Sequence, residues 1–107
     1  MTNGRIYLSG PVTGIEDYED KFLKAEIAVR RKGYKVINPA PLYKVMPSDA
    51  TYEEYMRICF DLLDLADYMV LLPGWEKSCG ANREYGYALA KDLIILPLED
   101  LIREEGQ

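Results

Sequence analysis

The segment Arg5-Ile-Tyr-Leu-Ser9, followed at once by Gly10-Pro-Val-Thr-Gly14, carries the first structural signal in this 107-residue chain. Its first half is a short apolar run typical of a buried strand, and its second half carries the glycines and the proline that end strands. Residues 17–32 then show the apolar stripe of a helix, and Gly33 stands where a helix C-terminus favours glycine. A strand, a loop and a helix in this order begin a parallel α/β sheet.

The same alternation continues along the rest of the chain. Thr51-x-x-Glu54 matches a capping box and predicts the start of a helix. Residues 38–50 contain three prolines and no clear period, so we predict an ordered loop, and long loops in compact domains are often functional. The other predicted elements are strands over 34–37, 67–72 and 93–96, and helices over 51–65, 81–90 and 99–105.

Strands that alternate with helices predict an α/β fold in which residues 1–107 form a single domain. We expect a flavodoxin- or Rossmann-like three-layer sandwich with a parallel sheet of four or five strands in the order 2-1-3-4. In that order the connections after the first and third strands leave in opposite directions, and open α/β sheets bind ligands in the crevice between them. The loops over 9–14 and 73–84 leave those two strand ends. The sequence therefore predicts a ligand site where these loops meet.

Composition and charge exclude several function classes. The chain has no histidine and only two cysteines, which excludes histidine-dependent catalysis, the usual zinc sites and a disulfide framework. We expect no metal and no organic cofactor. The net charge is −5 and the one basic cluster, 30–32, stands at a predicted helix end, so polymeric nucleic acid is not expected as a partner. No apolar run has the length of a membrane span or a signal peptide, which predicts a cytoplasmic protein without a membrane partner.

The second loop, Pro73-Gly-Trp-Glu-Lys-Ser-Cys-Gly-Ala-Asn-Arg-Glu84, carries groups suited to binding an anion. Gly80 and Ala81 allow a ligand to approach the backbone closely, and Ser78 adds a hydroxyl. A helix that begins there presents free N–H groups and a partial positive charge to a phosphate. Glu84 falls about one turn into that helix, and it is either a functional carboxylate or an ordinary acidic residue of a first helical turn.

The first loop has a similar composition. Ser9 and Thr13 bring hydroxyls, and Gly10 and Gly14 permit a positive φ or a close approach. The loop matches neither a dinucleotide fingerprint nor a phosphate-binding Walker loop, so a plain turn between strand and helix remains the alternative. In the second loop Trp75 also has two interpretations: it stacks on a nucleobase, or it covers the loop or contacts another subunit.

Taken together, these motifs resemble the nucleoside 2-deoxyribosyltransferase superfamily. The matching residues are Ile6-Tyr-Leu-Ser-Gly10, Ala66-Asp67, and Ser78-x-Gly80-Ala81-x-x-Glu84 followed by Gly86 and Ala88. Within that superfamily, Leu72-Pro-Gly-Trp-Glu-Lys-Ser-Cys-Gly-Ala81 resembles a phage-associated, largely uncharacterised domain family. The resemblance extends from Ile6 to about Leu98. It implies cleavage of an N-glycosidic bond in a nucleoside or nucleotide, by hydrolysis or by deoxyribosyl transfer.

The resemblance also implies roles for individual residues. Glu84 matches the carboxylate that attacks the sugar C1′, and Tyr7 matches the tyrosine that hydrogen-bonds and orients it. Ser78 and Gly80 match positions that hold the 5′-phosphate in the nucleoside-monophosphate hydrolases of this superfamily. The deoxyribosyltransferases typically carry Asp at the position of Ser78, so the serine favours a nucleoside 5′-monophosphate and hydrolysis.

Two positions depart from the pattern of the superfamily. Cys59 stands where relatives carry an Asp that protonates the leaving base or contacts the sugar, and a thiol is a poor substitute for that acid. Asp61 and Asp64 belong to the same predicted helix but are expected to face elsewhere. Thr13 stands where the monophosphate hydrolases carry Arg. These departures keep a second hypothesis open, a non-catalytic nucleotide-binding module that has lost its catalytic acid.

Association with a second copy is expected for a chain of this kind. A small domain gains buried surface by association, and the relatives complete their sites with a neighbouring subunit. We therefore expect a homodimer or a higher homo-oligomer whose ligand is a small nucleoside or nucleotide. An interaction protein that keeps the fold without a ligand is the remaining alternative.

Overall fold

The structure is a computed structural model that describes residues 4–105. In that range, four strands alternate with five α-helices. The strands are β1 (Arg5–Ser9), β2 (Lys35–Ile37), β3 (Tyr68–Leu71) and β4 (Ile94–Pro97). The helices are α1 (Tyr18–Arg30), α2 (Leu42–Val45), α3 (Tyr52–Leu63), α4 (Cys79–Ala90) and α5 (Leu98–Glu105). A 3₁₀ turn over Trp75–Lys77 precedes α4.

All strand pairs of the described sheet are parallel, and the strand order is β2-β1-β3-β4. This confirms the predicted α/β class and the predicted order, with four strands. Tyr7 pairs with Ile37 on one side and with Met69 on the other, and Ser9 pairs with Leu71. The carboxyl ends of β1 and β3 therefore lie side by side at the switch point that the strand order predicts.

Side-chain caps set the start of two helices. The capping box at Thr51 is confirmed: its hydroxyl accepts the Glu54 N–H at 3.1 Å, and the Glu54 carboxylate accepts the Thr51 N–H at 2.8 Å. Ser78 caps α4 by accepting the Ala81 N–H at 3.1 Å, so this helix begins at Cys79, two residues before the predicted position. The segment predicted as a loop over 38–50 contains the short helix α2, because Pro41 starts a turn that the Leu42–Val45 backbone continues.

The helices cover both faces of the sheet and form the three layers that the sequence predicts. On one face, α1 and α5 enclose a core cluster of apolar side chains only: Ile6, Leu8, Phe22, Ala25, Val29, Ala40, Val70, Leu72 and Leu101. On the other face, α3 and α4 enclose a second cluster: Tyr7, Tyr55, Met56, Cys59, Leu63, Ala66, Met69, Leu71 and Ala88. Neighbouring residues of β1 enter different clusters because side chains alternate across a strand.

The described α-helices are all short. The longest, α1, has 13 residues. At about 1.5 Å per residue it spans about 20 Å, less than the roughly 30 Å of a bilayer's hydrocarbon core. Across residues 4–105 no helix is both long enough and apolar enough to cross a membrane.

Candidate active site

Glu84 carries a buried carboxylate at the carboxyl end of the sheet. It belongs to the second turn of α4 and faces the end of β1, with only 6% of its surface exposed. The Tyr7 hydroxyl donates to Glu84 Oε2 at 2.5 Å, and the Ser9 hydroxyl donates to Oε1 at 2.6 Å. Residues 7 and 9 share one face of the strand, so both hydroxyls reach the same carboxylate. Each carboxylate oxygen is thus held by β1, and the group is fixed in one orientation.

The surroundings of Glu84 change its ionisation. Burial raises the pKa of Glu84 above its ordinary value, and hydrogen bonding to Ser9, Tyr7 and Cys59 opposes that rise by stabilising the ionised form. Burial also raises the pKa of Tyr7 well above its usual value, and the adjacent Glu84 charge adds to this. Tyr7 therefore remains a hydrogen-bond donor at any physiological pH. A desolvated, oriented carboxylate of this kind is suited to act as a nucleophile.

Cys59 lies behind this carboxylate, on α3. It is 1% exposed, and its thiol interacts with Tyr7 and Glu84. Burial raises the pKa of Cys59 to about 11, despite hydrogen bonding to Tyr7 that lowers it. The thiol is therefore protonated at neutral pH. Asp61 and Asp64 are exposed, and Asp64 accepts the Tyr87 hydroxyl at 2.7 Å, so neither carboxylate replaces Cys59 at the site.

Two neighbouring spaces lie at this end of the sheet. The first, called the chamber below, has a volume of about 40 Å³, and Glu84 forms part of its wall. The second, called the basin, has a volume of about 750 Å³. The two share Val12, Thr13, Tyr52, Ser78 and Gly80, and this shared boundary is called the passage below. The chamber has room for a few water molecules, whereas the basin has the size of a small-ligand site.

The basin carries positive charge. Lys21 from α1 and Lys77 from the 3₁₀ turn both line it, together with Ser78 and Gly80 at the start of α4. Lys21 has a long contact of 3.8 Å with Asp17. Across residues 4–105, Lys77 makes no ion pair. Cationic side chains beside a helix N-terminus make this space suited to an anionic ligand.

Most of the predicted site residues meet in these two spaces. Ser9, Gly10, Thr13, Ser78, Gly80, Ala81 and Glu84 all line the chamber, and Tyr7 lies beneath it. The two predicted loops therefore meet at one site. The Ser78 oxygen accepts the Ala81 N–H, which leaves its hydroxyl proton available to a ligand.

Two glycines of the site serve packing. A Cβ at Gly10 would lie 2.8 Å from the Leu72 Cβ, so glycine lets the ends of β1 and β3 approach each other. A Cβ at Gly80 would lie 3.2 Å from the Tyr52 hydroxyl and would narrow the passage between chamber and basin. Gly14 adopts a φ of +80° in the turn after β1, and it lines neither space.

Trp75 lies away from both spaces. Its ring packs against Tyr85, with ring centroids 5.1 Å apart, at the edge of the core between the sheet and α4. Of its two interpretations, the placement agrees with a cover over the loop rather than with base stacking. The 3₁₀ turn directs the ring toward Tyr85, and the Asn82 side chain holds this turn by donating to the carbonyl oxygens of Glu76 at 3.0 Å and Ser78 at 2.8 Å.

Mainly aromatic side chains form the rest of the chamber wall, called the aromatic wall below, and no sequence motif indicated them. Tyr43 from α2 and Tyr52, Tyr55 and Met56 from α3 all line the space over Glu84. The Tyr43 and Tyr55 rings are stacked with centroids 4.1 Å apart. For Tyr43, the sequence signal was the proline-rich composition of residues 38–50, which predicted a functional loop but did not single out this tyrosine.

Arg83 connects the two helices beside the chamber. Its guanidinium makes two hydrogen bonds of 3.0 Å to the Glu53 carboxylate. It also lies over the Tyr52 ring, at 5.5 Å from the centroid, and near the Phe60 ring, at 5.6 Å. This interaction supports Tyr52, which forms part of the passage between chamber and basin.

The acidic and cysteine side chains of residues 4–105 are not grouped as metal ligands. Between residues 4 and 105, no cluster of three or more acidic or cysteine side chains is arranged to hold a metal ion. Every buried side-chain nitrogen and oxygen in the same range has a hydrogen-bond partner.

Comparisons with known proteins agree with this architecture. A solved structure from Clostridium botulinum, described as the CMP N-glycosidase BcmB, superposes with a TM-score of 0.61 at 19% sequence identity, over 87% of this chain and 69% of that one. At this identity the likeness shows a shared fold. No curated protein sequence matches the chain significantly. Residues 4–96 match a family known as a domain of unknown function, DUF4406, and the chain belongs to that family.

Proposed function

We propose that this protein cleaves the N-glycosidic bond of a nucleoside 5′-monophosphate or a nucleoside, with Glu84 as the nucleophile. The observation that carries the proposal is the Glu84 carboxylate, which is buried, held by two hydroxyls and open to a chamber. The clostridial structure with the same fold is described as a CMP N-glycosidase, which supports glycosidic chemistry in general.

The reaction would proceed in two steps. Glu84 attacks the sugar C1′ as the bond to the base breaks, which forms a glycosyl ester on the enzyme. Water then cleaves that ester in hydrolysis, or a second base does so in deoxyribosyl transfer. Tyr7 and Ser9 stabilise the carboxylate when it leaves C1′ again, because both donate to its oxygens.

The basin would hold the remainder of the substrate. Ser78 offers its hydroxyl and Gly80 its backbone to a 5′-phosphate, and Lys21 and Lys77 supply positive charge nearby. This charge is relevant because Thr13 replaces the arginine of the monophosphate hydrolases. A phosphate in the basin would place the sugar at the passage into the chamber. The chamber alone is too small for a whole nucleoside, so the substrate would extend from the basin into it.

The test is a panel of nucleosides and nucleoside monophosphates, incubated with the protein and analysed by chromatography for free base. We expect base release from at least one of them, and Glu84→Gln is expected to reduce it by at least about 1,000-fold, the scale on which loss of a nucleophile acts. Glu76→Gln is the matched control, because Glu76 is an exposed carboxylate of the same loop. An unchanged rate in Glu84→Gln, with the fold intact by circular dichroism, would contradict the proposal.

A second candidate function is nucleotide binding without catalysis. The observation in its favour is Cys59, a buried neutral thiol where relatives carry an acid. This alternative predicts that a nucleotide raises the melting temperature while no free base forms over hours. The decisive variant is then Cys59→Asp, which restores the acid at that position.

A further inference from the structure

Cleavage of an N-glycosidic bond leaves negative charge on the base, and a proton donor usually stabilises it. Cys59 is badly placed for this role. It is 1% exposed and lies behind Glu84, and it is not part of the chamber wall. If the protein is a glycosidase, another group on that wall has to provide the proton.

The hydroxyls of the chamber differ in availability. Tyr7 and Ser9 already donate to Glu84. Tyr52 interacts with the Cys79 thiol as a donor and lies at the passage toward the basin. The Tyr55 hydroxyl donates to the Pro39 carbonyl oxygen at 3.4 Å.

Tyr43 has a different environment. It belongs to α2 and lines the chamber together with Glu84. Its ring is stacked on Tyr55 at 4.1 Å and meets the edge of the Tyr18 ring at 5.8 Å, so its orientation is fixed from two sides. About 39% of the residue is exposed, which leaves it accessible to a ligand in the site.

Within residues 4–105, the Tyr43 hydroxyl donates no hydrogen bond to another protein group. Burial raises the pKa of Tyr43, and the nearby Tyr55 and Thr13 hydroxyls act in the opposite direction. The Tyr55 hydroxyl itself donates to the Pro39 carbonyl oxygen. The proton of Tyr43 is therefore available to a ligand in the chamber.

We propose that Tyr43 is the catalytic residue that donates a proton to the leaving base. The inference rests on the glycosidase function proposed above. It addresses one departure from the superfamily pattern, because Cys59 does not line the chamber and Tyr43 does.

The C1′–N bond breaks, its electron pair moves to the base nitrogen, and a Glu84 oxygen forms the new bond to C1′. The base takes the proton of the Tyr43 hydroxyl and leaves as a neutral molecule, which leaves Tyr43 as phenolate. Water then attacks C1′, its proton returns to Tyr43, and the electron pair of the ester bond returns to Glu84 as the carboxylate. The net reaction consumes one water and yields free base and free sugar.

The experiment compares two leaving groups in Tyr43→Phe, which removes one hydroxyl and keeps the ring. One substrate is the best nucleotide of the panel, and the other is the 4-nitrophenyl glycoside of the same sugar and phosphate, whose nitrophenolate leaves without a proton. We expect kcat for base release to fall about 100-fold, on the scale of general acid catalysis, and kcat for nitrophenolate release to stay within about 3-fold. Tyr18→Phe is the matched control, because it removes a hydroxyl from the same ring cluster outside the chamber, and it should leave both rates unchanged.

Each other outcome contradicts the proposal in a distinct way. Equal losses with both substrates would assign Tyr43 a structural role, and unchanged rates with both would remove it from the reaction. If the unaltered protein releases neither base nor nitrophenolate, the glycosidase function fails, and the role of Tyr43 fails with it. Circular dichroism and the melting temperature of Tyr43→Phe establish that its fold is intact before rates are compared.

Discussion

The two faces of β1 differ in chemistry although they belong to the same five-residue strand. On one face, Ile6 and Leu8 point into the layer of α1 and α5, where the buried cluster is entirely apolar. On the other, Tyr7 and Ser9 point into the layer of α3 and α4 and place two hydroxyls against Glu84. Both faces are buried, so the difference does not come from contact with water.

The two faces of β1 contribute differently to stability and to chemistry. An apolar side chain contributes to folding in proportion to the surface it buries. A buried carboxylate opposes folding unless its oxygens are bonded, and the two hydroxyls of β1 reduce that cost. The apolar face therefore stabilises the fold, and the hydroxyl face holds a reactive group that costs stability.

The largest effect is expected on the apolar face. Ile6→Ala is predicted to lower the free energy of unfolding by about 2–5 kcal/mol, the range for removing a fully buried Ile, because Ile6 is 0% exposed. Denaturant unfolding measures it, with Ile94→Ala as the matched control, since Ile94 is 55% exposed on β4. A loss no larger than that of the control would refute the assignment of stability to this face.

A smaller, pH-dependent effect is expected on the hydroxyl face. Ser9→Ala is predicted to lower the free energy of unfolding by about 1.5–3 kcal/mol at pH 8, the usual contribution of a hydrogen bond to a charged group. The Ser9 bond lowers the pKa of Glu84, so its loss raises that pKa further above the value in the unfolded chain. When a carboxyl group has a higher pKa in the folded protein than in the unfolded chain, the folded protein loses stability as the pH rises through the interval between those two pKa values.

The difference between Ser9→Ala and the unaltered protein should therefore grow with pH and shrink toward pH 4, where Glu84 is protonated. Unfolding curves collected from pH 4 to pH 8 test this, and Ser48→Ala provides a control with an exposed serine. A difference that is constant across the range would mean that Ser9 does not act through the charge of Glu84. In activity measurements, the same variant should move the acidic limb of kcat/KM to higher pH.

The smallest effect is expected outside both faces, at Arg83. Arg83→Lys keeps the charge but loses the paired hydrogen bonds to Glu53 and the flat contact with the Tyr52 ring. Since the pair is exposed, we expect the melting temperature to fall by less than in Ser9→Ala. Lys24→Ala, which removes an exposed pair with Asp20 away from the site, is the comparison. A larger fall than in Ser9→Ala would show that the connection between α3 and α4 contributes more than the hydroxyl face.

Several parts of the site were accessible from the sequence because they depend on local patterns. The alternation of strands and helices predicted that the loops over 9–14 and 73–84 leave neighbouring strand ends and meet. The motif resemblance then named Glu84 and Tyr7 as partners, and the structure has them bonded at 2.5 Å.

Other parts were not accessible because they depend on contacts between distant segments. Tyr43 belongs to a four-residue helix in a proline-rich stretch without a period, and its position in the chamber wall depends on its packing against Tyr55 and Tyr18. Trp75 follows β3, one of the two strands at the switch point, and this position suits a residue that stacks on a base. The 3₁₀ turn instead directs its ring toward Tyr85.

By itself, the sequence determined the α/β class and, with the strand order expected for such a fold, the edge of the sheet at which the loops over 9–14 and 73–84 meet. These features follow from hydrophobic periodicity and from glycine and proline positions, which act within a few neighbouring residues. Only the tertiary structure determined which side chains surround the Glu84 carboxylate, that Cys59 interacts with it from outside the chamber and that Tyr43 lines the same chamber. Such placements arise when separate segments pack together, and local sequence patterns do not encode the distances between them.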